Sequence, residues 1–416
     1  MIAIVGGGIT GLALGHYLAD RGVEFTVLEA TSRPGGVIRS ERVDSHLVEW
    51  GPQRTRLVGR VRDLVEELGL GSDLITAPDG LPLLVYCEGK LRRVPFSIGD
   101  FVATDMFTGA EKLRVLAEPF TGGARPGERV AGFFTRKFGR AAYENLLGPL
   151  YGGLYASDPA DMVVDQSLGH VLREFGIGRS LLARLLRRGG RISPPAACSF
   201  QDGLQTLTTA LYKKHHDNVR LEAPVTGLSQ RGGGWVVETA GDSLEASAVV
   251  LTAPADTTSA LLQTVAPDAA ARIGQLHYNP LAVVHLYAET DLVGLGYQVS
   301  FAEDLVTRGV TWNDSLFGRA GVYTAYLGGA RSPTTVDLPD LDVAEIAVRE
   351  FARVTGYEAE PISVVRERMP AWDHTWGALD GLELPAGIHL AANWQARPGI
   401  PGRLGQAFML SDKVTR

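Results

Sequence analysis

The sequence predicts an α/β protein built around a parallel, doubly wound sheet. Three observations carry this. Ile2–Val5 is an uninterrupted apolar run, the pattern of a strand buried on both faces. Gly6, Gly8 and Gly11 follow it as G-x-G-x-x-G, and Leu12, Leu14 and Leu18 continue at roughly helical spacing until Gly22 closes the helix. Phe25–Leu28 then reads as a second strand with Glu29 at its end.

Each part of this unit has a physical role at a dinucleotide. Gly6 permits the tight turn out of the strand, Gly8 lets backbone come close to a pyrophosphate, and Gly11 lets the helix pack on the strand. Gly6, Gly7, Gly8, Ile9, Thr10 and Gly11 make up this turn and the start of the helix. Glu29, with Ala30 after it, lies roughly 18 residues past the last glycine, where a carboxylate accepts hydrogen bonds from an adenosine ribose. NAD and FAD both fit this unit. No second G-x-G-x-x-G occurs, so no separate NAD(P)H domain is expected.

The 416 residues give room for two to three domains with large cores. With 45% hydrophobic and 21% charged residues, the chain belongs among ordinary globular proteins. A net charge of −7 argues against nucleic acid as the main partner. Cys87 and Cys198 are the only cysteines, which suits a reducing compartment and excludes a disulfide framework. No metal-ligand spacing and no Ser-His-Asp arrangement stands out, so no metal is expected. No apolar run approaches the roughly 20 residues needed to span a bilayer. The nucleotide fold starts at Ile2, which leaves no room for a leader and gives a cytoplasmic expectation, with peripheral membrane contact left open.

Along the chain, residues 1–78 hold the first part of the nucleotide fold. Over 79–195 a short hairpin, "LPLLVYCEGKLRRVPFS", precedes several helical segments. The α/β pattern returns over 196–256, where "NVRLEAPVTGLSQ", "GGWVVETAG" and "SAVVLTAPA" read as three strands with turns at Gly232–Gly234 and Gly241–Asp242. A mixed segment over 257–372 carries the strands "LAVVHLYAE" and "GVYTAYLGG" and a helix near "DVAEIAVREFARVTG". Residues 373–416 end as strand, loop and helix, which suggests that both termini belong to one nucleotide domain.

Arg33, Gly35 and Gly36 directly follow the acidic residue, and Glu49-Trp50-Gly51-Pro52 follows them. Here the sequence resembles the flavin amine oxidase superfamily, whose fingerprint is G-x-G-x-x-G, Glu, then R-x-G-G. Three further stretches resemble the protoporphyrinogen and coproporphyrinogen oxidases within it. Gly127–Met162 ends in Ala156-Ser157-Asp158-Pro159, an A-G-D-P-like motif. Ser199–Leu211, "SFQDGLQTLTTAL", matches the S-F-x-G-G-L-Q-T-L segment with Asp202 replacing its first glycine. "LAANWQARPGIPGRLGQAF" is similar to the closing flavin segment, with Ala392 where glycine usually precedes Asn393.

The resemblance implies a discontinuous Rossmann-like FAD-binding domain, a mixed α+β substrate domain and a helical lobe. It implies noncovalent FAD, since neither cysteine lies in a segment like the covalent attachment site of monoamine oxidases. The amides of Gly6–Gly11 would hold the pyrophosphate at a helix N-terminus, and the R-x-G-G segment with Arg33 and Gly36 would give a second close backbone approach to a phosphate. Val37, Gly51, Pro52, Gln53 and Arg54 would lie along the flavin and ribityl chain. Val225 would contact adenine through its backbone, and Asn393, Ile400, Pro401, Gly402 and the helix beginning near Leu404 would approach the flavin. The implied reaction is oxidation of a porphyrinogen to the porphyrin in haem biosynthesis, with a tetrapyrrole substrate, hydride transfer to flavin and oxygen as acceptor. No acid or base is singled out.

Two departures bear on this. The methyl of Ala392 would crowd the flavin edge. Many relatives carry Arg or Lys near the "EGKL" turn to pair with a substrate carboxylate, and Leu83 stands there, leaving Arg54, Arg92 or Arg319 for the role. An amine oxidase or carotenoid-type desaturase on the same fold, and a flavin- or porphyrin-binding protein without turnover, stay open. His215 and His216, beside Lys213 and Lys214, read as a solvated helix end, and Trp50, Trp372 and Trp394 read as packing as readily as stacking. Residues 178–191 carry Arg179, Arg184, Arg187, Arg188 and Arg191 among Leu181, Leu182, Leu185 and Leu186. That stretch is either a core helix with solvated arginines or a helix for anionic lipid.

Overall fold

The computed structural model describes residues 1–416 except 175, 177, 188, 191, 193, 396–398 and 415–416, and describes residues 170 and 174 by backbone alone. Arg188 and Arg191 of the basic stretch therefore lie outside the described residues. The chain divides into two compact units, one of Met1–Thr76, Pro195–Leu276 and Ala378–Arg416, the other of Ala77–Pro194 and His277–Gly377.

The first unit is organised by a five-stranded parallel sheet. Its strands are β1 (Ile2–Val5), β2 (Phe25–Leu28), β3 (Val219–Arg220), β4 (Ala248–Leu251) and β5 (Ile388–Leu390), in the order β3-β2-β1-β4-β5. β1 lies at the centre, with Ile4 paired to Val27 on one side and Val250 on the other. A strand covered on both faces must be apolar at every position, which is why "IAIV" does not alternate. The helix Ile9–Ala19 has every residue buried except its last, because it lies between the sheet and the C-terminal helix Ile400–Val414. Ile4, Leu14, Leu18, Val250, Leu404 and Ala407 share this core.

Several expectations are corrected here. "NVRLEAPVTGLSQ" is two strands in two sheets rather than one. β3 ends at Arg220, the chain turns through Glu222 at φ 53°, and Val225–Arg231 begins an antiparallel sheet with Gly234–Thr239 and Ser243–Ala246. The closing helix starts at Ile400, not near Leu404, with Pro401 in its first turn, where a missing N–H costs nothing. Residues 257–276, read with the following segment, lie in the first unit as the helices Ala255–Leu262 and Pro267–Ile273.

The second unit is organised by a seven-stranded mixed sheet in the order Glu360–Pro370, Tyr278–Tyr287, Val322–Gly328, Thr307–Trp312, Gly296–Val299, Leu83–Cys87, Lys90–Arg93. One pairing, Leu83–Cys87 with Gly296–Val299, is parallel. The helix Asp340–Thr355 buries Val343, Ala347, Phe351 and Val354 in the core of this sheet. Residues 98–187 add short helices. Among them, Lys137 on the helix Val130–Phe138 and Glu118 form a fully buried ion pair at 2.6 Å. Glu118 accepts the backbone N–H groups of Leu181 and Leu182, and Lys137 donates to the Arg179 carbonyl, so the pair holds the start of the helix Leu181–Arg187. In that helix Leu181, Leu182 and Leu185 are half-buried and Leu186 is 60% exposed.

Candidate cofactor site

The first unit gathers the glycine-rich turn, the acid after β2 and the R-x-G-G segment at the carboxyl end of β1. The helix Ile9–Ala19 starts after Gly8 with no side-chain cap and no acidic residue in its first turn. Its leading N–H groups and the positive end of its dipole are thus left for an anion. Glycine is required at three points of the turn. Gly6 has φ 110°, and a Cβ there would lie 2.5 Å from the Thr252 hydroxyl. A Cβ on Gly7 would meet that of Glu29 at 2.8 Å, and one on Gly11 would lie 2.0 Å from the Gly6 carbonyl oxygen.

The R-x-G-G segment runs beside this turn. Gly35 N–H donates to the Gly7 carbonyl at 2.8 Å, Gly8 and Gly35 form a parallel bridge, and a Cβ on Gly36 would stand 3.2 Å from Gly8 Cα. Two side-chain-free backbones therefore lie together, which is the cradle a pyrophosphate needs. Arg33 shapes the segment by donating to the carbonyls of Gly36 at 2.6 Å and Ile38 at 3.3 Å. Val37 is 54% exposed, and its carbonyl lies so close to Gly51 that a Cβ there would be 2.0 Å away. Gln53 donates to the carbonyls of Glu49 at 2.8 Å and Gly51 at 3.1 Å, which fixes the Gly51–Arg54 turn.

Glu29 is buried, and its carboxylate accepts Gly7 N–H at 2.7 Å, Thr31 N–H at 2.9 Å and the Thr31 hydroxyl at 2.7 Å. Three of about four acceptor positions are filled, leaving one on Oε2 for a ribose hydroxyl. Ala30, beside it, is exposed. The Glu29 carbonyl accepts Ala223 N–H at 2.9 Å, which brings the chain leading to Val225 alongside the acid. The residues present fit a dinucleotide of the FAD kind.

At the other side of the sheet, Ala391 N–H donates to the Leu251 carbonyl at 3.0 Å and the Trp394 indole to the Ala253 carbonyl at 3.0 Å. Asn393 between them is half-buried. Ala392 has no exposed surface, so its methyl faces packed protein, not an open edge, and the expected crowding is corrected. Ile400 and Leu404 point into the core, while Pro401 and Gly402 are half-buried. Sequence reasoning missed Arg403. It is almost wholly buried, burial lowers its pKa to about 10, and it donates to the Ala392 carbonyl, tying this loop to the helix that follows. An arginine four residues from Gly399 reads as a solvated helix residue unless its burial is known.

The carboxylate-partner candidates separate. Leu83 sits in a strand with its backbone paired to Gly296. Arg92 is engaged by Glu88 at 3.0 Å and Asp105 at 3.3 Å, and Arg319 is buried beside the Phe317 ring, so neither presents an open cation. Arg54 is half-buried in the first unit. Trp50 carries the Arg39 guanidinium 3.5 Å over its ring, and Trp372 stacks on Trp376 at 5.4 Å, both as packing. Cys87 and Cys198 are buried free thiols, and burial pushes Cys198 up to about 11. His215, at the helix end, is half-buried rather than fully solvated. It packs against His16 and Phe25, and burial with the neighbouring His16 and Lys214 charges lowers its pKa to about 4. His216 is exposed beside Asp217.

Residues 9–400 match the family described as "Flavin containing amine oxidoreductase". The chain is 28% identical to protoporphyrinogen oxidase 1, chloroplastic, of Spinacia oleracea, over 84% of this chain and 70% of that protein. It is 26% identical to coproporphyrinogen III oxidase of Bacillus subtilis, over 86% of this chain and 84% of that one. Its fold is that of a crystal structure from Exiguobacterium sp. 255-15, provisionally described as a protoporphyrinogen oxidase, with TM-score 0.78 at 23% identity over 99% of this chain and 98% of that one. No helix among the described residues is long and apolar enough to cross a membrane.

Proposed function

The chain belongs to the flavin containing amine oxidoreductase family, and from that premise we propose that it is an oxidase that uses noncovalent FAD to convert a porphyrinogen to the porphyrin. The substrate is protoporphyrinogen IX or coproporphyrinogen III, and oxygen is the electron acceptor. What carries the reading is one pairing: the glycine cradle of Gly6–Gly11 against Gly35–Gly36, in a chain whose named relatives above are porphyrinogen oxidases.

In this reading FAD, once bound, supplies the hydride-accepting centre that a saturated meso carbon needs. The chain's own residues bind and orient it. The amides of Gly8–Gly11 hold the pyrophosphate, because those of Gly6 and Gly7, expected to share in it, donate to the Leu28 carbonyl and the Glu29 carboxylate instead; Glu29 holds the ribose. Arg33, Gly36, Val37, Gly51, Pro52, Gln53 and Arg54 shape the wall along the flavin, and Val225 meets the adenine. Asn393 and the Ile400–Gly402 helix start lie at the flavin's other side, where a helix N-terminus favours negative charge. Arg403, through the Ala392 carbonyl, is a positioning residue for that loop. Of the three arginines named for a substrate carboxylate, Arg54 is the one in the first unit.

Turnover of a substrate panel tests the proposal. Porphyrin fluorescence should appear with one or both porphyrinogens and none of the amines should be consumed. Turnover of an amine alone would make the protein an amine oxidase, and turnover of nothing by FAD-replete protein would make it a binding protein.

Peripheral contact with anionic lipid is part of the same proposal, through the helical part of the second unit. Its support is exposure: Phe120 is 91%, Leu113 70%, Val102 65% and Leu186 60% exposed, and Arg184 and Arg187 share the helix of Leu186. A poorly soluble tetrapyrrole is well supplied from such a surface.

A further inference from the structure

The helix Ile9–Ala19 ends in a cluster that the cofactor site does not use. His16, in its last turn, has 1% of its side chain exposed. Its Nε2 lies 2.8 Å from Glu67 Oε2 and 3.6 Å from Asp20 Oδ2, and its Nδ1 lies 3.0 Å from His215 Nε2. Asp20 is one turn on from His16, and Glu67 ends the helix Gly59–Glu67. The three ligand atoms of His16, Asp20 and Glu67 fall within 4.8 Å of one another. We infer that His16, Asp20 and Glu67 form a binding site for a divalent transition metal of the zinc type, outside the flavin site.

Three features support the inference. One imidazole with two carboxylates is a nitrogen–oxygen donor set that zinc accepts, and the half-exposed carboxylates leave the fourth position open to water. Metal-ligating histidines ordinarily hydrogen-bond through their second ring nitrogen, and His16 Nδ1 has that partner in His215. Finally, Glu67 is the last residue of its helix, while Asp20 and His215 cap the helices Ile9–Ala19 and Gln205–Lys214. Three negative helix ends thus meet at one point, a field that favours a cation.

Without metal, His16 Nε2–H donates to Glu67. Metal binding at Nε2 requires the proton at Nδ1, where His215 Nε2 accepts it. Glu67 lies 51 residues from His16 and 47 from Asp20, on another helix, so the sequence alone does not bring the three together.

The test is calorimetric titration of the chelator-treated, FAD-replete protein with zinc chloride. One equivalent should bind, and Asp20→Asn and Glu67→Gln should each weaken it at least about tenfold, the low end even for loss of an outer partner. His216→Gln, at an exposed histidine outside the cluster, should change nothing. Both ligand variants lie at half-exposed positions, so their folding is checked by an unchanged zinc-free melting temperature. Absence of one-to-one binding, or binding that survives the Asp20→Asn/Glu67→Gln double variant, would overturn the inference.

Discussion

Replacing Gly11 separates the dinucleotide turn from every other part of the account. A Cβ at this position would sit 2.0 Å from the Gly6 carbonyl oxygen and 3.2 Å from Ile4 Cγ2. The first contact is with backbone, which cannot rotate away, so the helix must move off the turn. Gly11→Val adds two more carbons and is expected to cost about 3 kcal/mol, the upper part of the overpacking range. FAD affinity should be lost even where the protein stays folded. Gly15→Ala is the control, because its Cβ would meet the Phe25 ring at 2.5 Å, one turn away from the pyrophosphate amides. It should lower stability by about 1–3 kcal/mol and leave FAD affinity unchanged. Urea denaturation of the FAD-free proteins gives the stabilities, and quenching of flavin fluorescence gives the affinities. Normal FAD binding by folded Gly11→Val protein would refute the assignment of this turn.

Breaking the buried Lys137–Glu118 pair by Lys137→Met should cost about 3–5 kcal/mol, because Glu118 is left charged without its cation. Glu118→Leu in the same chain should recover part of it, and equal melting temperatures for single and double variants would contradict this. Glu128 should contribute acid-labile stability. Burial alone raises its pKa, but hydrogen bonds from Arg136 and the Arg125 backbone, with their charges, bring it below the ordinary value. Its contribution is present above the unfolded carboxyl pKa and is lost as pH falls through the folded one. The gap in melting temperature between wild type and Glu128→Gln should therefore close on acidification from pH 6, and a constant gap would count against it. Changing Arg184, Arg187 and Arg188 together to Gln should abolish sedimentation with anionic liposomes at low salt, each charge being worth about 1 kcal/mol at the surface, while FAD content stays the same. Failure of the wild type to sediment would remove the membrane contact.

The parts legible in the sequence are those whose physics is local. An apolar run, three glycines and an acid fall within 28 residues from Ile2 to Glu29 and occupy one strand–turn–helix–strand unit. The illegible parts depend on distant partners. Lys137 and Glu118 look like solvated charges until the fold buries both. Arg403 and His215 were hidden the same way, the second by its lysine neighbours. The break between the two strands falls where Glu222 takes a positive φ, and Pro224, just before the second strand, was its signal in the sequence. The start of the closing helix could have been read from Pro401, a residue suited to a first turn.

Anaerobic mixing of FAD-replete protein with each porphyrinogen tests the central claim most directly. Bleaching of the flavin absorbance by protoporphyrinogen IX or coproporphyrinogen III, reversed when oxygen is admitted, is the expected result. Flavin that stays oxidised with both would contradict it.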